Sequence, residues 1–263
     1  MAASKTSARN TGARREAIIA LLEEQGDVSV ESLANAFDTS EVTIRKDLSQ
    51  LEQEGILIRR YGGAALLPRG QMQDSTSCPL KRRLAEAAKS RIKDHARIVI
   101  DSGSTTSTLI PQLKNIMGLV VMTNSLEVAN HLRELPNRPS LLMTGGTWDE
   151  RSLSFQGVTA EQTLRVYDFD QLFIGADGID LERGTTTFNE LLSLSQVMAQ
   201  VSREVVVMVE SDKIGRRMPN LELDFDAIDV VITDDRLDVA SRQAIIEHNV
   251  ELVVVECPAG SRS

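Results

Sequence analysis

Small hydroxyl-bearing residues gather in one stretch of the chain, Asp101-Ser102-Gly103-Ser104-Thr105-Thr106. The stretch directly follows Ile98–Ile100, an apolar run typical of a buried strand, and it precedes a helix-like segment. Backbone N–H groups at the start of a helix bind phosphate together with Ser and Thr hydroxyls, because the helix dipole is positive there. Serine and threonine also cap helices routinely, so this stretch alone leaves a phosphate loop and a simple cap about equally open.

Two further polar turns follow the next two apolar runs. Thr123-Asn124-Ser125 comes after Leu119–Met122, and Thr144-Gly145-Gly146-Thr147 comes after Leu141–Met143. Because parallel strands bring their carboxyl ends to one edge of a sheet, the three turns line one crevice, where open α/β sheets bind ligands. The candidate ligand-binding residues in these turns are Asp101, Gly103, Ser104, Thr105, Thr106, Thr123, Asn124, Ser125, Gly145 and Gly146.

Carboxylates, an amide and a lysine follow the later apolar runs of the chain. They lie in the turn Asp177-Gly178-Ile179-Asp180, in the pair Asn189-Glu190 and at Lys213. Such groups at strand ends suit the hydroxyls of a sugar and an anionic group. The alternative for the two aspartates is that they make only turn hydrogen bonds. The ligand-binding candidates of this part are Asp177, Gly178, Asp180, Asn189, Glu190 and Lys213.

The elements that carry these turns form a regular alternation of strands and helices. Besides the three runs above, the apolar runs are Leu172–Ile174, Val205–Val209, Val230–Ile232 and Leu252–Val255. The helix-like segments include Leu80–Lys93, Leu126–Glu134, Leu191–Ser202 and Val239–His248. Strands that are apolar throughout and separated by helices indicate a parallel sheet covered on both faces. Residues 80–257 are therefore predicted to form an α/β domain with a doubly wound, mostly parallel sheet.

The first quarter of the chain has a different pattern, that of three short helices and a hairpin. Apolar periodicity predicts a first helix up to Gly26, a second capped by Ser29 and a third capped by Ser40 that runs to about Gln53 and is stopped by Gly55. A short strand, Ile56–Ile58, leads into a basic turn that ends at Ala64. Residues 13–67 are thus predicted to form a winged helix-turn-helix, the fold that sets a helix in the DNA major groove.

The third helix has one apolar and one polar face. Ile44, Leu48 and Leu51 share the inward face, so the opposite face is free to reach base edges. Asp47 is expected to be an internal ion-pair partner, and the alternative for the basic residues is an ordinary solvated helix surface. The predicted DNA contacts of this helix and the basic turn are Ser40, Val42, Thr43, Arg45, Lys46, Gln50, Arg59, Arg60 and Tyr61.

The charge, the length of the apolar runs and the spacing of cysteine and histidine limit the classes of protein to which this chain can belong. The formal net charge is −9, and residues 1–67 hold eight basic and ten acidic side chains, so any DNA binding is local and sensitive to salt. The apolar runs are too short to span a membrane, and residues 1–12 have no signal-peptide pattern, which predicts a cytoplasmic protein. Residues 1–12 and 258–263 are expected to be tails and residues 68–79 a linker. The two cysteines and three histidines lack metal-ligand spacing, so no metal is expected.

The N-terminal residues resemble a family. Arg14, Ile18, Leu22 and Ser40 precede Thr43-Ile44-Arg45-Lys46-Asp47-Leu48, which is followed by Arg59, Arg60 and Gly62-Gly63. This spaced pattern is similar to the signature of the DeoR family of bacterial sugar-operon regulators. The resemblance implies binding to an operator as a homodimer or homotetramer, and most members of the family are repressors.

The resemblance continues from Leu80 to about Val255, where the family's effector domain is similar to sugar-phosphate isomerases of the ribose-5-phosphate isomerase type. It implies that the Gly103–Thr106 loop holds phosphate and that Asp177–Asp180 and Lys213 match the isomerases' acidic turn and lysine. The chain departs from the pattern in Glu-Ser-Asp-Lys at residues 210–213, which leaves the role of Asp212 open. Glu182-Arg183-Gly184-Thr185-Thr186 stands where the isomerases carry a glycine-rich lysine motif, which favours binding without turnover.

The sequence therefore predicts a DNA-binding transcriptional regulator that is not an enzyme. Its partners are operator DNA and a phosphorylated sugar or sugar alcohol, with no membrane. The alternative is a sugar-phosphate isomerase or deaminase with an accessory DNA-binding head. Its candidate acids or bases are Glu190, Asp177, Asp180 and Lys213. A further alternative is a protein that coats DNA without sequence preference. It is less favoured, because it gives the C-terminal domain no function. The chain has neither nucleotide-binding glycine motif, so no cofactor is expected.

Overall fold

A computed structural model describes residues 11–25, 27–53, 57–60, 63–66 and 78–257. The chain divides into two compact units, Met1–Arg69 and Gly70–Ser263. The N-terminal unit contains the helices α1 (Thr11–Gln25), α2 (Val30–Ala36) and α3 (Glu41–Gln53). Its strands β1 (Asp27–Ser29), β2 (Leu57–Arg60) and β3 (Gly63–Leu66) form an antiparallel sheet in the order β1-β3-β2.

Local hydrogen bonds start the helices of this unit where the sequence predicts. The Ser29 hydroxyl accepts from the Ser32 N–H at 3.0 Å, and the Ser40 hydroxyl accepts from the Thr43 N–H at 3.3 Å. The predicted inward face of α3 is confirmed, because Ile44, Leu48 and Leu51 are buried with the apolar residues of α1 and α2. The predicted helix stops, Gly26 and Gly55, lie outside the described residues.

The sheet of the N-terminal unit differs from the prediction. Strand β2 begins at Leu57 and not at Ile56, which lies outside the described residues. Strand β1 is an addition that the short polar sequence Asp27–Ser29 did not reveal, and it pairs with β3 through Ser29 and Gly63. A Cβ atom on Gly63 would lie 2.6 Å from the Val28 carbonyl oxygen, so this close approach requires glycine.

Seven parallel strands form the main sheet of the C-terminal unit. In chain order they are β4 (Arg97–Ile100), β5 (Val120–Thr123), β6 (Ser140–Met143), β9 (Phe169–Ile174), β12 (Ser202–Met208), β14 (Val230–Asp234) and β15 (Glu251–Val255). Their order in the sheet is β15-β14-β12-β9-β4-β5-β6. The chain builds outward from β4 to one side and then returns to build outward from β9 on the other. The predicted doubly wound sheet is confirmed, and its switch point lies between β4 and β9.

Helices cover both faces of this sheet. They are α4 (Pro79–Ser90), α5 (Leu126–Glu134), α6 (Val158–Leu164), α7 (Ser193–Gln200), α8 (Val239–Glu247) and a 3₁₀ helix, Thr106–Asn115. Alternate strand residues point to opposite faces, so Ile98 and Ile100 pack with α4, α5 and the 3₁₀ helix, whereas Val99 packs on the side of α6, α7 and α8. None of the helices in the described ranges is long and apolar enough to cross a membrane.

Small antiparallel elements at the carboxyl edge were not predicted. Strands β7 (Thr147–Asp149) and β8 (Ser154–Gln156) form a hairpin, and β10 (Gly178–Asp180), β11 (Gly184–Thr187) and β13 (Asn220–Asp224) form a three-stranded sheet. They are short and polar, so they lack the apolar runs on which the strand predictions relied. Two boundaries also moved. Pro79 is the first residue of α4, a position that suits proline, and Ser202 opens β12, although Leu191–Ser202 was predicted to be helical.

Candidate DNA-binding and effector sites

The outer face of α3 is the candidate DNA-contacting surface. Val42 is 73% exposed, and Arg45 and Lys46 are exposed as well. The Arg45 guanidinium donates to the Glu41 carboxylate at 2.8 Å, one helical turn earlier. The Ser40 and Thr43 hydroxyls lie 2.9 Å apart. The helix therefore presents cations and hydroxyls outward, and the pair between Arg45 and Glu41 is open to water, so it breaks at little cost.

Asp47 lies on the opposite, inner side of α3. Its carboxylate accepts from Arg14 Nε at 2.6 Å and from Arg15 Nε at 3.2 Å. Asp47 is 2% exposed and Arg14 is 5% exposed. The expectation of an internal ion pair is confirmed, and the pair ties α3 to the first helix.

The remaining predicted DNA contacts are only partly described. Gln50 is half-buried on α3. Arg59 and Arg60 close strand β2, and their side chains lie outside the part of the chain that the structure describes. Tyr61, the next residue, is outside it altogether. The role of these residues stays a prediction.

At the switch point of the main sheet, the turns after β4 and β5 are joined by hydrogen bonds. Asn124 Nδ2 donates to Asp101 Oδ1 at 2.8 Å, and the Ser102 N–H donates to Asn124 Oδ1 at 3.1 Å. Burial raises the pKa of Asp101 to about 6. Asp101 and Asn124, two of the predicted site residues, therefore form one fixed wall of the crevice.

The Thr106 hydroxyl of the Gly103–Thr106 loop holds the loop itself in shape. Thr106 Oγ1 donates to the Asp101 carbonyl at 2.9 Å and lies 3.0 Å from that of Gly103. Thr105 and Thr106 are buried, whereas Gly103 is exposed and Ser104 is half-buried. The loop runs directly into the 3₁₀ helix, so its backbone N–H groups stand at a helix start.

A lysine that the sequence analysis missed reaches this loop. Lys81, in the first turn of α4, donates from Nζ to the Ser104 hydroxyl at 2.9 Å. The same Nζ lies 3.6 Å from Glu210 Oε1, at the end of β12. The loop therefore has a cation beside it and a carboxylate beyond that cation. A lysine far away along the chain has no local motif, so only the fold connects it with the loop.

Predicted residues in the turns after β5 and β6 stabilise the local backbone. Thr123 Oγ1 accepts from the Ser125 N–H at 3.1 Å, and the Ser125 hydroxyl caps α5 by accepting from the Val128 N–H at 3.3 Å. Gly145 and Gly146 have φ angles of 62° and 112°, which glycine adopts without strain. Thr123, Ser125, Gly145 and Gly146 therefore determine the course of the backbone in these two turns.

Asp177 and Asp180, the two aspartates of the acidic turn, have different hydrogen-bond partners. Asp180 accepts from Arg183 Nε at 2.7 Å and from Arg217 Nε at 2.6 Å, and these arginines hold the pKa of its carboxyl well below its usual range. Asp177 accepts from the Thr187 hydroxyl at 2.7 Å. The carboxylate of Asp180 is thus engaged by protein donors, and because Arg217 comes from outside the turn, its contacts go beyond the turn hydrogen bonds of the alternative.

The other four predicted residues of this part are Lys213, Asn189, Glu190 and Gly178. Lys213 Nζ donates to the Ala176 carbonyl oxygen at 3.3 Å. Asn189 donates its N–H to Thr187 Oγ1 at 3.0 Å, and its side-chain oxygen accepts from the Leu191 N–H. Glu190 is exposed, and Gly178 lies so close to the Arg216 carbonyl that a Cβ atom would be 2.7 Å from it. The region offers one lysine and one carboxylate with remaining hydrogen-bonding capacity.

A second residue missed from the sequence, Glu222 of β13, interacts through its charge with Asp101 and Asp177. Its Oε1 accepts from the Ser195 hydroxyl at 2.8 Å. Burial, together with the negative charges of Asp101 and Asp177, raises the pKa of Glu222 to about 8. Three carboxylates from three different elements therefore act on one another. Strand β13 has no apolar run, so no pattern in the sequence points to this residue.

The raised pKa of Glu222 leads to a pH-dependent stability. The folded protein keeps this proton up to about pH 8, whereas an unfolded glutamate releases it near pH 4.5, so stability falls as the pH rises between these values. We expect Glu222→Gln to remove much of this fall and to melt at a higher temperature than the wild type at pH 8. Thermal melts at pH 5 and pH 8 measure it, with Glu247→Gln, an exposed helix residue, as the control. Parallel pH profiles for wild type and Glu222→Gln would contradict the assignment.

Among the described residues, one group of three metal-capable side chains comes close together: Asp234, Asp235 and Cys257. Asp234 is fully buried and accepts from Arg236 Nε at 2.7 Å and from the Ser211 N–H and hydroxyl at 2.8 and 2.9 Å. These donors lower the pKa of Asp234 to about 2. Its lone pairs are taken up by the protein, so the group fits an ion-pair network better than a metal site.

The chain matches two family models. The model of a DeoR-like helix-turn-helix domain matches residues 14–69, and that of a DeoR C terminal sensor domain matches residues 78–235. A protein of Escherichia coli O157:H7 named as an aga operon transcriptional repressor is 37% identical over 93% of this chain and 94% of its own. The regulator GlpR of Haloferax volcanii is 32% identical over 91% of this chain and 96% of its own.

Solved structures give a weaker likeness. Ribose 5-phosphate isomerase A of Methanocaldococcus jannaschii covers 54% of each chain at 19% identity, with a TM-score of 0.38, which carries no functional conclusion. The two family models and the near full-length relatives are sufficient without it. The chain belongs to the DeoR family of transcriptional regulators.

Proposed function

We propose that this protein is a repressor of a sugar or sugar-alcohol catabolic operon, and that a phosphorylated sugar or sugar alcohol bound in the crevice controls its binding to operator DNA. The observation that carries the proposal is a set of polar contacts near the carboxyl ends of the strands, where Lys81 donates to the Gly103–Thr106 loop and the carboxylates of Asp101, Asp177 and Glu222 act on one another. Relatives named as an aga operon repressor and a glycerol-3-phosphate regulon repressor support the sugar operon.

The DNA-binding half rests on the polar face of α3. Exposed Arg45 and Lys46 supply positive charge to a unit whose overall charge is slightly negative, and exposed Val42 can contact a thymine methyl group. Ser40 and Thr43 add hydroxyls at the start of the helix, where backbone N–H groups favour a DNA phosphate. Arg59, Arg60 and Tyr61 are proposed to act in the wing. An acidic regulator of this kind binds DNA through a few local contacts.

The effector half rests on complementary charges within the crevice. The Gly103–Thr106 loop and Lys81 suit the phosphate, because N–H groups, a hydroxyl and a cation meet there. The hydroxyls of the sugar chain suit side chains that accept and donate hydrogen bonds, which here are Asp101, Asn124, Asp177, Glu222 and Lys213. Asp180 is proposed to shape the turn through its two arginines rather than to contact the effector.

We further propose that the protein acts as a binder, not an enzyme. Glu190, one sequence candidate for a general acid or base, is exposed, and Arg183 occupies the segment where the isomerases carry their lysine motif. Turnover of a sugar phosphate that Glu190→Gln abolishes would contradict this. We also propose that the protein is cytoplasmic and binds operators as a homodimer or homotetramer. In such an oligomer, two N-terminal units contact the DNA together, which doubles the number of contacts.

The experiment is a fluorescence-anisotropy titration of the full chain with a duplex selected from a random pool. It is repeated with hexitol, hexose, amino-sugar and pentose phosphates and with the same sugars lacking phosphate. We expect one phosphorylated compound to change DNA affinity about 5- to 150-fold, the usual range of allosteric coupling. A chain that selects a sequence but ignores every phosphorylated compound would contradict the sensing half alone.

We expect Arg45→Ala to weaken binding to the selected duplex and to make the salt dependence shallower, by roughly one unit in the slope of log affinity against log salt for a lost phosphate contact. The same anisotropy titration at several salt concentrations measures this. Arg203→Ala is the matched control, since Arg203 is an exposed arginine of the C-terminal unit that also has an acidic partner, Asp170. Wild-type affinity in Arg45→Ala would contradict the assignment of this surface.

A further inference from the structure

The candidate DNA-contacting surface of α3 begins with an acidic side chain, Glu41. This side chain is 48% exposed and accepts from the Arg45 guanidinium at 2.8 Å. In a helix-turn-helix, the first residues of the recognition helix contact base edges in the major groove. Glu41, the first residue of α3, therefore occupies a position from which a side chain can read a base, although it carries the charge that DNA phosphates repel.

A carboxylate at this position opposes binding to DNA in general. It repels the phosphates of any sequence, and its pair with Arg45 offsets one of the positive charges that α3 presents. Arg45 is proposed to contact a DNA phosphate, and its pair with Glu41 is open to water and breaks at little cost. When the guanidinium turns to the phosphate, the Glu41 carboxylate must find another hydrogen-bond donor in the groove.

The four bases differ in what their major-groove edges offer to a carboxylate, which can only accept hydrogen bonds. The donors on these edges are the amino groups of cytosine, N4, and of adenine, N6. Adenine carries the acceptor N7 beside its amino group, whereas cytosine has no acceptor on this edge. Guanine and thymine present acceptors, which repel a carboxylate. Cytosine is therefore the base that best suits Glu41.

We propose that Glu41 is a specificity-determining residue that accepts a hydrogen bond from the amino group of a cytosine in the operator and weakens binding to other sequences. The proposal rests on the proposed function, since it places α3 in the major groove. It gives a role to a carboxylate on a surface that otherwise attracts DNA through Arg45, Lys46 and hydroxyls. A group that costs the wrong partner more than the right one is a common source of specificity.

Selection of duplexes from a random pool, with the full chain and with two variants, tests the proposal. We expect the wild-type sites to contain a constant C·G pair at one position, and Glu41→Ala to lose the preference at this position alone. Glu41→Gln should shift the preference there to A·T, because glutamine can accept from adenine N6 and donate to N7. In anisotropy titrations of the wild type, replacing this C·G pair should weaken binding about 5-fold or more.

A duplex of unrelated sequence measures the effect of the charge alone. Glu41→Ala should bind it about threefold more tightly than the wild type does, because one repulsive charge is removed. Glu31→Ala is the matched control, since Glu31 is an exposed glutamate in the first turn of α2 and interacts in the same way with the dipole of its helix. This control should leave the base preference unchanged.

Other results would overturn the proposal, each for a different reason. If Glu41→Ala selects the same bases as the wild type at every position, the carboxylate reads no base. If both variants lose preference equally at all positions, Glu41 supports the fold of α3 and not recognition. If the preference that Glu41→Ala loses is for a base other than cytosine, the assignment to cytosine fails. If the wild type itself selects no sequence, the DNA-binding half of the proposed function fails together with this inference.

Discussion

Replacing Lys81 by glutamine is expected to weaken binding of the phosphorylated effector about 10- to 150-fold, the range of a hydrogen bond to a charged group. Lys81 contacts the loop proposed to bind phosphate, through the Ser104 hydroxyl. Glutamine can still donate to Ser104 but carries no charge, so the loop should survive while the attraction for phosphate is lost. Calorimetry of the full chain with the tightest sugar phosphate measures the change.

Lys89→Gln is the matched control for this variant. Lys89 lies on the same helix, α4, in its last turn. It should bind the effector like the wild type. DNA affinity in the absence of effector should also be unchanged in Lys81→Gln, since Lys81 belongs to the C-terminal unit. An effector affinity within twofold of wild type in Lys81→Gln would show that phosphate binds elsewhere.

Asp47→Asn is expected to destabilise the N-terminal unit by about 3–5 kcal/mol, the usual cost of removing one partner from a buried ion pair. Asp47 contacts both Arg14 and Arg15 from inside the unit. Small units have only a few kcal/mol of stability, so most of the N-terminal unit should unfold and DNA binding should be lost. The helical circular-dichroism signal reports this unfolding.

The fluorescence of the single tryptophan of the chain reports on the C-terminal unit alone in this experiment. Trp148 belongs to the C-terminal unit, so its fluorescence should follow a melting curve like that of the wild type in Asp47→Asn. Asp38→Asn is the matched control, because Asp38 is exposed and has a φ angle of 48°, which asparagine tolerates. Circular-dichroism melts that coincide for Asp47→Asn and wild type would disprove the stabilising role of the pair.

The main sheet could be predicted because its strands are apolar on both faces. Runs such as Ile98–Ile100 and Val205–Val209 have no other stable place than between two layers of helices. The three-stranded sheet β10-β11-β13 could not be predicted, since Gly184–Thr187 is polar and becomes buried only through its neighbours. Tertiary contacts, and not the local pattern, decide such strands.

The residues of the candidate site also fall into two groups, those that the sequence could predict and those that it could not. Asp101 and Asn124 follow strands directly, so their meeting at the switch point followed from topology. Lys81 and Glu222 come from α4 and β13, which reach the crevice from distant parts of the chain. The charges that surround the effector site are therefore contributed partly by elements whose sequence carries no trace of the site. Spacing along the chain cannot reveal side chains that only folding brings together.

The position of Lys81 near the start of the C-terminal unit has a consequence for how such regulators diversify. Lys81 comes two residues after Pro79, where the chain arrives from the DNA-binding unit, and it touches the loop proposed for the phosphate that every sugar phosphate shares. Glu222 and Asp177, which face the rest of the crevice, lie far from that junction in the chain. On the proposed function, substitutions at Glu222 or Asp177 would therefore change which sugar is recognised while leaving the contact between Lys81 and the loop unchanged.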